Sequence, residues 1–221
     1  MTIQHLLYIP TIFLLGLVFG TMINERAKGK MSNAIIDSNA PFCYQTSGKR
    51  LLQTFSIFLI VFVITHMFPI PFGSKVVSQL LGGHEIFDKR PVFSSTEVYE
   101  RINLFSRAGV VAYKRFTYTI DVLFPASFFA FLWTFASFVS ERRKISKPVR
   151  NILIGFPFFW FASDLIENAV IFKILDALPN QSEFLGNYLG LITTLKFGLL
   201  AFSIFMPLLM MLFARKNADS V

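Results

Sequence analysis

The sequence predicts an all-α polytopic membrane protein, a single integral membrane domain with five transmembrane helices. Of its 221 residues, 54% are hydrophobic and only 15% are charged, whereas a soluble domain carries about 25% charged residues. Five windows each supply the roughly 20 apolar residues needed to cross a bilayer, and none alternates as a barrel strand does. The windows are residues 3–23, 51–72, 117–139, 151–175 and 184–213.

The first window has the composition of a retained helix rather than of a cleaved signal peptide. Residues 1–10 contain no Lys or Arg, and no A-x-A cleavage site follows the apolar run. A secretory signal peptide has both features. We therefore interpret residues 3–23 as a transmembrane helix.

Positive charge is concentrated in short loops, and this predicts the orientation. The net charge is +8, and loops 24–50 and 141–150 are rich in Lys and Arg, whereas the connection 176–183 has neither. Because basic short loops stay cytoplasmic, we expect an outer amino terminus and a cytoplasmic carboxyl terminus in a bacterial inner membrane. Lys114 and Arg115, beside a window on the outer side, do not fit this orientation. Membrane lipid is then the expected partner of the basic residues, and nucleic acid is not.

The outer loop, residues 73–116, is predicted to contain a short amphipathic helix over about residues 95–108. Ser94 and Glu97 have the spacing of a capping box, and Gly109 is the expected stop. Such a helix would lie at the membrane interface or cover the outer mouth of the bundle as a lid. Its apolar face comprises Val98, Ile102 and Phe105.

Small and aromatic residues predict how the helices pack and where the membrane boundary lies. Gly16 and Gly20 form one small-xxx-small pattern, and Gly186 and Gly190 form another. Such patterns allow close helix contact, so either face could pack within the chain or join a homo-oligomer or a larger membrane complex. The tyrosines expected in an aromatic belt at the outer boundary are Tyr8, Tyr113 and Tyr188.

Ionisable side chains inside the windows form the candidate functional site, because a charge at the bilayer centre costs about 3 kcal/mol. Asp164, Glu167 and Asn168 are spaced i, i+3, i+4 and share one helical face. At about 1.5 Å per residue, the ionisable residues fall within about 10 Å of the window centres, on or outside the midplane. We therefore expect them to meet in the bundle interior. The candidate ligand-binding or proton-handling residues are Asp121, Asp164, Glu167, Asn168, Lys196, His66, Tyr118 and Thr193.

A proline and a charge imbalance refine this site. The ring of Pro125 should leave the carbonyl of Asp121 without its helical donor and so expose a backbone acceptor beside a carboxylate. Among the candidate site residues, three acids accompany one lysine. We expect a protonated carboxyl, a cation, a basic ligand or a water-filled opening to compensate. His66 is more consistent with a hydrogen-bonded packing role than with catalysis.

Several motif-borne chemistries are excluded. The sequence has no H-E-x-x-H zinc helix, G-x-S-x-G elbow, P-loop or dinucleotide-binding fingerprint. It has no C-x-x-C, and the single cysteine, Cys43, excludes an internal disulfide. We predict no metal and no cofactor, and the sequence does not decide whether the protein is an enzyme.

Three polar motifs lie within residues 51–213: DxxFP from Asp121 with a preceding tyrosine (Tyr113 or Tyr118), DxxEN from Asp164, and a TxxK ending at Lys196. Together they resemble the pattern of a family of small bacterial polytopic membrane proteins. That family has no known activity, so the resemblance supports the site residues and implies no reaction.

Three functions fit these observations. The first is binding or processing of a lipid-like or small amphipathic ligand in the outer half of the bilayer. In it, Asp164 and Glu167 would bind or exchange protons, and Lys196 would hold an anionic group or tune the acids. The second is a proton- or cation-coupled transporter or channel subunit, although the inner halves of the windows hold few charges. The third is an accessory or assembly subunit whose polar residues lock helices together.

Overall fold

A computed structural model of the chain describes residues 46–71 and 73–213, and this part is all-helical, with no strand. The first window, with Gly16, Gly20, Tyr8 and Cys43, lies outside the described residues. The long helices are α1 (Gly48–Met67), α5 (Ile120–Arg142), α6 (Lys147–Asp176) and α7 (Glu183–Phe213). Between α1 and α5 lie α2 (Ser74–Leu80), a 3-10 turn (Phe87–Lys89), α3 (Ser95–Asn103) and α4 (Arg107–Phe116).

The ends of the long helices follow from capping residues and prolines. The Ser47 hydroxyl accepts a hydrogen bond from the backbone N–H of Arg50 at 3.3 Å and caps α1. α1 ends at Met67 instead of at the predicted residue 72, because Pro69 disfavours helical backbone in the residue before it. Pro148 lies in the first turn of α6, where its missing N–H is tolerated.

Three helical stretches are long and apolar enough to span a membrane: Gly48–Met67, Arg107–Arg142 and Glu183–Phe213. The second of these joins α4 and α5. Although α6 has 30 residues, it is not among the three; Asp164 and Glu167 in its middle reduce its apolar character. The number of five spans therefore stays a prediction.

The distribution of side chains over the long helices is that of a membrane protein. On α7, Lys196 is only 5% exposed, whereas its neighbours Leu195 and Phe197 are 54% and 46% exposed. On α6, Glu167 is buried and Ile166 is exposed. A soluble protein rarely exposes large contiguous apolar patches. Polar groups inside and apolar groups outside indicate hydrocarbon surroundings.

Aromatic contacts hold the long helices together. α1 packs on α5, α5 on α6 and α6 on α7. The ring of Phe58 on α1 stacks on Phe128 of α5 with a centroid distance of 4.4 Å. Phe128 in turn meets the edge of Trp160 on α6 at 5.3 Å. The many phenylalanines thus form much of the packing between neighbouring spans.

The loop between α1 and α5 folds into a compact cap, defined here as residues 74–116, over the ends of α6 and α7. Ser94 caps α3 as predicted by accepting from the N–H of Glu97 at 3.2 Å. However, α3 ends at Asn103, so the predicted helix over 95–108 is too long, and Gly109 is not its stop. Gly109 lies in the first turn of α4, where its N–H donates to the Ser106 hydroxyl at 2.9 Å.

The apolar face of α3 is buried in protein. Val98 and Ile102 are 0% and 4% exposed, and Phe105 just beyond the helix is also buried. They share a hydrophobic core with residues of α2, α4, α6 and α7. The apolar side of this helix therefore packs against the cap and the helix ends, as a helix that covers the bundle would; its location relative to the membrane interface stays a prediction.

The expected aromatic belt does not include Tyr113. Its side chain is fully buried in the cap core, and its hydroxyl oxygen accepts a hydrogen bond from the N–H of Phe87 at 2.8 Å. Tyr188 is 49% exposed. Tyr113 therefore packs inside the cap, where its hydroxyl also provides a hydrogen-bond partner for a buried backbone N–H.

The Gly186 and Gly190 face of α7 is occupied by the cap of the same chain. A Cβ at Gly190 would lie 2.3 Å from the carbonyl oxygen of Val92, and one at Gly186 would lie 2.7 Å from the Cα of Ser95. The N–H of Ser95 also donates to Asn187 at 2.8 Å. This face is therefore not free for a neighbouring chain in this structure.

We expect Gly190→Ala to destabilise the protein, because the new methyl group would clash with backbone that cannot yield like a flexible side chain. Overpacking of this kind costs about 1–3 kcal/mol. The control is Gly198→Ala on the same helix, where nothing lies within 4 Å of the new Cβ. Thermal unfolding in detergent micelles would measure both variants, and an equal melting temperature for the two would contradict the close packing of the cap on α7.

Candidate functional site

The centre of the site is the ammonium group of Lys196, which lies among three carboxylates. It forms an ion pair with Glu167 of α6 and lies 3.4 Å from Asp164 Oδ1. It also lies 3.4 Å from the Oδ1 of Asp88, in the 3-10 turn of the cap. An ammonium has three N–H donors. The three carboxylates can therefore occupy all of them.

Asp88 is the site residue that the sequence reasoning missed. It lies in the outer loop, outside every predicted span, and no helical spacing connects it with the other acids. In the structure its side chain is only 17% exposed. The sequence contains only a weak signal for Asp88, namely an acid that follows Phe87 in a short FDK segment. In the structure the cap folds this segment inward.

Two side chains of the cap hold the turn that carries Asp88. The guanidinium of Arg101 donates to the carbonyl oxygens of Glu85 at 2.6 Å and of Arg90 at 3.0 Å. Burial lowers the pKa of Arg101, yet a guanidinium remains charged at neutral pH. On the other side of the turn, Tyr113 accepts from the N–H of Phe87. The cap thus places Asp88 through backbone contacts on both sides of it.

The polar face of α6 points inward, as its spacing predicts. Asp164, Glu167 and Asn168 are 7%, 0% and 4% exposed. The hydroxyl of Thr193 donates to Glu167 Oε1. α7 therefore supplies both a cation and a hydroxyl donor to one carboxylate, which fixes Glu167 between the two helices.

Asp121 contributes both a carboxylate and a backbone acceptor. Its carbonyl oxygen accepts from Asn168 Nδ2 at 3.4 Å, so the amide occupies the acceptor that Pro125 leaves without a helical N–H. Its carboxyl oxygen Oδ2 is buried and has no hydrogen-bond partner in the described part of the chain. The first turn of α5 thereby joins the cluster on α6, α7 and the cap.

His66 and Tyr118 have aromatic surroundings. His66 Nδ1 lies 2.8 Å from the Thr65 hydroxyl, and its ring stacks on Phe62 at 4.7 Å and meets Phe124 edge-on. These contacts agree with a packing role. Tyr118 is 36% exposed and packs its ring edge-on against Phe172.

The cluster has more acceptors than donors. Three carboxyl groups, those of Asp88, Asp164 and Glu167, pair with one ammonium, and Asp121 adds a fourth acid with a buried oxygen. Within residues 46–71 and 73–213, no hydrogen-bond partner exists for the buried Asp121 Oδ2, Asp164 Oδ2 and Asn168 Oδ1. Buried acceptors normally have a partner. The arrangement therefore suits hydrogen-bond donors from outside the chain, or protons.

The Lys196 ammonium is not available for an anionic group. Its donors already face Glu167, Asp164 and Asp88. A further anion would add negative charge to a site that is already acidic, and such repulsion is unfavourable in surroundings of low dielectric. The expectation that Lys196 holds an anionic group does not fit this geometry. In the described part of the chain, no three His, Cys, Asp or Glu side chains are arranged to hold a metal ion.

Comparisons with protein-family models, with curated proteins and with solved structures give no match to this chain. The resemblance carried by the DxxFP, DxxEN and TxxK motifs therefore stays a prediction.

We expect Lys196→Met to destabilise the protein by about 3–5 kcal/mol, because it leaves buried carboxylates without their cation. The control is Lys114→Met, which removes the more exposed pair of Lys114 with Asp176 at 2.5 Å. That change should cost at most about 1 kcal/mol. Unfolding by sodium dodecyl sulfate in mixed micelles would measure both, and similar small losses would show that Lys196 does not organise the cluster.

A double-mutant cycle tests the role of Asn168. Asn168→Leu should cost about 1–3 kcal/mol, because the Asp121 carbonyl is then buried without a donor. In a Pro125→Ala background the backbone N–H of residue 125 can donate to that carbonyl, so the loss should be smaller. Additive losses in the two backgrounds would show that Asn168 does not act through this carbonyl.

Proposed function

We propose that this integral membrane protein binds a lipid-like or small amphipathic molecule at the cluster of carboxyl groups beneath the cap. The observation that supports this proposal best is the set of buried acceptors without partners at Asp121, Asp164 and Asn168. Each such atom in a dry site costs about 1–3 kcal/mol. A bound head group with hydrogen-bond donors would satisfy them.

The surroundings of the cluster favour an amphipathic ligand over a purely polar one. Leu165 and Ile166, next to Asp164 and Glu167 along α6, are 37% and 54% exposed. Leu195 and Phe197 flank Lys196 on α7 in the same way. Buried acidic groups and exposed apolar side chains thus follow one another along both helices, and this supports a ligand that has a polar head group and a hydrocarbon tail.

The proposal includes five spans, with the cap and an outer amino terminus on one side of a bacterial inner membrane. The end of the bundle opposite the cap supports this orientation. There the N–H of Thr46 donates to Glu141 at 2.6 Å, and Arg143 donates to the Met211 carbonyl. These contacts bring Lys49, Arg50 and the basic loop 141–150 to one end of the bundle, where the positive-inside rule places the cytoplasm. A homo-oligomer or a larger complex would have to form through a face other than that of Gly186 and Gly190. The remaining candidate is the face that contains Gly16 and Gly20.

A proton- or cation-coupled transporter is the second candidate. The excess of carboxyl groups over ammonium groups favours it, because such acids can carry protons. The other half of the described bundle gives it little support. Three buried hydroxyls there, those of Thr134, Ser140 and Ser203, donate to carbonyls of their own helices at 2.7 Å. A path toward the cytoplasm would therefore need water or a second chain.

An accessory subunit is the third candidate, and the ion pairs of Lys196 favour it. They connect α6, α7 and the cap and could serve only to lock them. This interpretation accounts for the paired atoms and leaves the unpartnered acceptors of Asp121 and Asp164 unexplained.

Mass spectrometry of molecules that co-purify with the protein tests the proposal. We expect wild-type protein in a mild nonionic detergent to retain an amphiphile that Asp164→Asn loses at least tenfold, because the substitution replaces a charged acceptor with an amide. The control is Asp176→Asn on the same helix, which changes an exposed acid and should leave the retained amphiphile unchanged.

The outcome separates the three candidates. If Asp164→Asn lowers the melting temperature and leaves the co-purifying lipid unchanged, the residue has a structural role and the binding proposal fails. If the wild-type protein retains no amphiphile and conducts protons in liposomes, the transporter is favoured.

A further inference from the structure

The donors and acceptors of the cluster indicate what kind of head group it can bind. The ammonium of Lys196 pairs with three carboxylates of the chain. The two basic side chains next to Asp88 along the chain, Lys89 and Arg90, are exposed, and Arg101 binds backbone carbonyls. The cluster therefore offers an incoming molecule many acceptors and few donors.

The unpartnered acceptors are built into the site and do not lie at its solvent edge. Asp164 and Asn168 are 7% and 4% exposed, and each has an oxygen without a hydrogen-bond partner in the described part of the chain. Asp164 faces Lys196 with its other oxygen, Oδ1, so its free oxygen lies in the same cluster. Asn168 is held in place through its Nδ2 contact with the Asp121 carbonyl.

We propose that the cluster selects a cationic head group with N–H donors, that is, a primary ammonium group on an amphiphile. This inference rests on the proposed binding function and adds the chemical class of the ligand. A primary ammonium supplies three donors and one positive charge. The donors match the unpartnered oxygens of Asp121, Asp164 and Asn168, and the charge offsets the excess of carboxylates. A quaternary ammonium supplies the charge without the donors, and a sulfate or a carboxylate supplies neither.

The test uses four amphiphiles with the same ten-carbon chain: decylammonium, decyltrimethylammonium, decanol and decyl sulfate. The full chain is purified in a nonionic detergent, and binding is measured by isothermal titration calorimetry and by the shift in melting temperature. We expect decylammonium to bind at least tenfold more tightly than decanol and decyl sulfate, and several-fold more tightly than decyltrimethylammonium. Butylammonium, which is water-soluble, should bind much more weakly than decylammonium if the ligand is a membrane amphiphile.

Variants locate the binding to the cluster. Asp164→Asn should reduce decylammonium affinity at least tenfold, and Asp121→Asn, a second change in the cluster, should also reduce it. Asp176→Asn, on the same helix and outside the cluster, should bind like the wild type. Size-exclusion chromatography and circular dichroism identify any variant that does not fold, and the comparison of head groups on the wild-type protein needs no variant.

The outcomes separate this inference from the proposed function. If decanol or decyl sulfate binds as tightly as decylammonium, the protein binds amphiphiles without selecting a cation, and the inference is overturned while the proposed function stands. Equal affinity for the primary and quaternary ammonium groups overturns the role of N–H donors. If butylammonium binds as tightly as decylammonium, the ligand is a soluble amine and the amphiphile is excluded. If none of the probes binds and no lipid co-purifies, both proposals fail.

Discussion

The ion pairs of one buried ammonium organise the end of the helix bundle that carries the cap. Lys196 of α7 contacts Glu167 and Asp164 of α6 and reaches Asp88 of the cap. In hydrocarbon or in a protein interior, a charge without a counter-ion is strongly unfavourable, so the helices and the cap must meet where these groups meet. The packing of α6 on α7, the position of the 3-10 turn and the inward fold of the outer loop all satisfy this condition.

The cap allows a carboxylate from a loop to reach a group inside the bundle. Its hydrophobic core, with Val98, Ile102 and Tyr113, gives the loop a fixed shape. Arg101 and Tyr113 then bind the backbone on both sides of Asp88. The glycines of α7 bring the chain close enough, because any Cβ at Gly190 would overlap the Val92 carbonyl. Apolar packing and close backbone contact together place one acidic side chain.

The parts of the site that depend on local geometry could be predicted from the sequence. The i, i+3, i+4 spacing sets Asp164, Glu167 and Asn168 on one face because a helix has 3.6 residues per turn. The effect of Pro125 on the Asp121 carbonyl follows from the missing N–H of proline. Asp88 and the burial of Tyr113 could not be predicted in this way. They depend on how a 43-residue loop, residues 74–116, packs on helices far away in the sequence, and no local period encodes such contacts. The surroundings of the apolar face of α3 could not be predicted either, because Val98 and Ile102 fit a membrane surface as well as a protein core.

The stoichiometry of the cluster argues against a purely structural role. A lock between two helices needs one cation, one carboxylate and satisfied hydrogen bonds, and the pair of Lys196 with Glu167, supported by Thr193, already meets this need. Asp121 and Asp164 each add a buried oxygen without a hydrogen-bond partner in the described part of the chain. A buried acceptor that has no partner lowers the stability of a protein. A structural lock has no need of such oxygens, whereas the proposed binding site would use them to accept hydrogen bonds from its ligand.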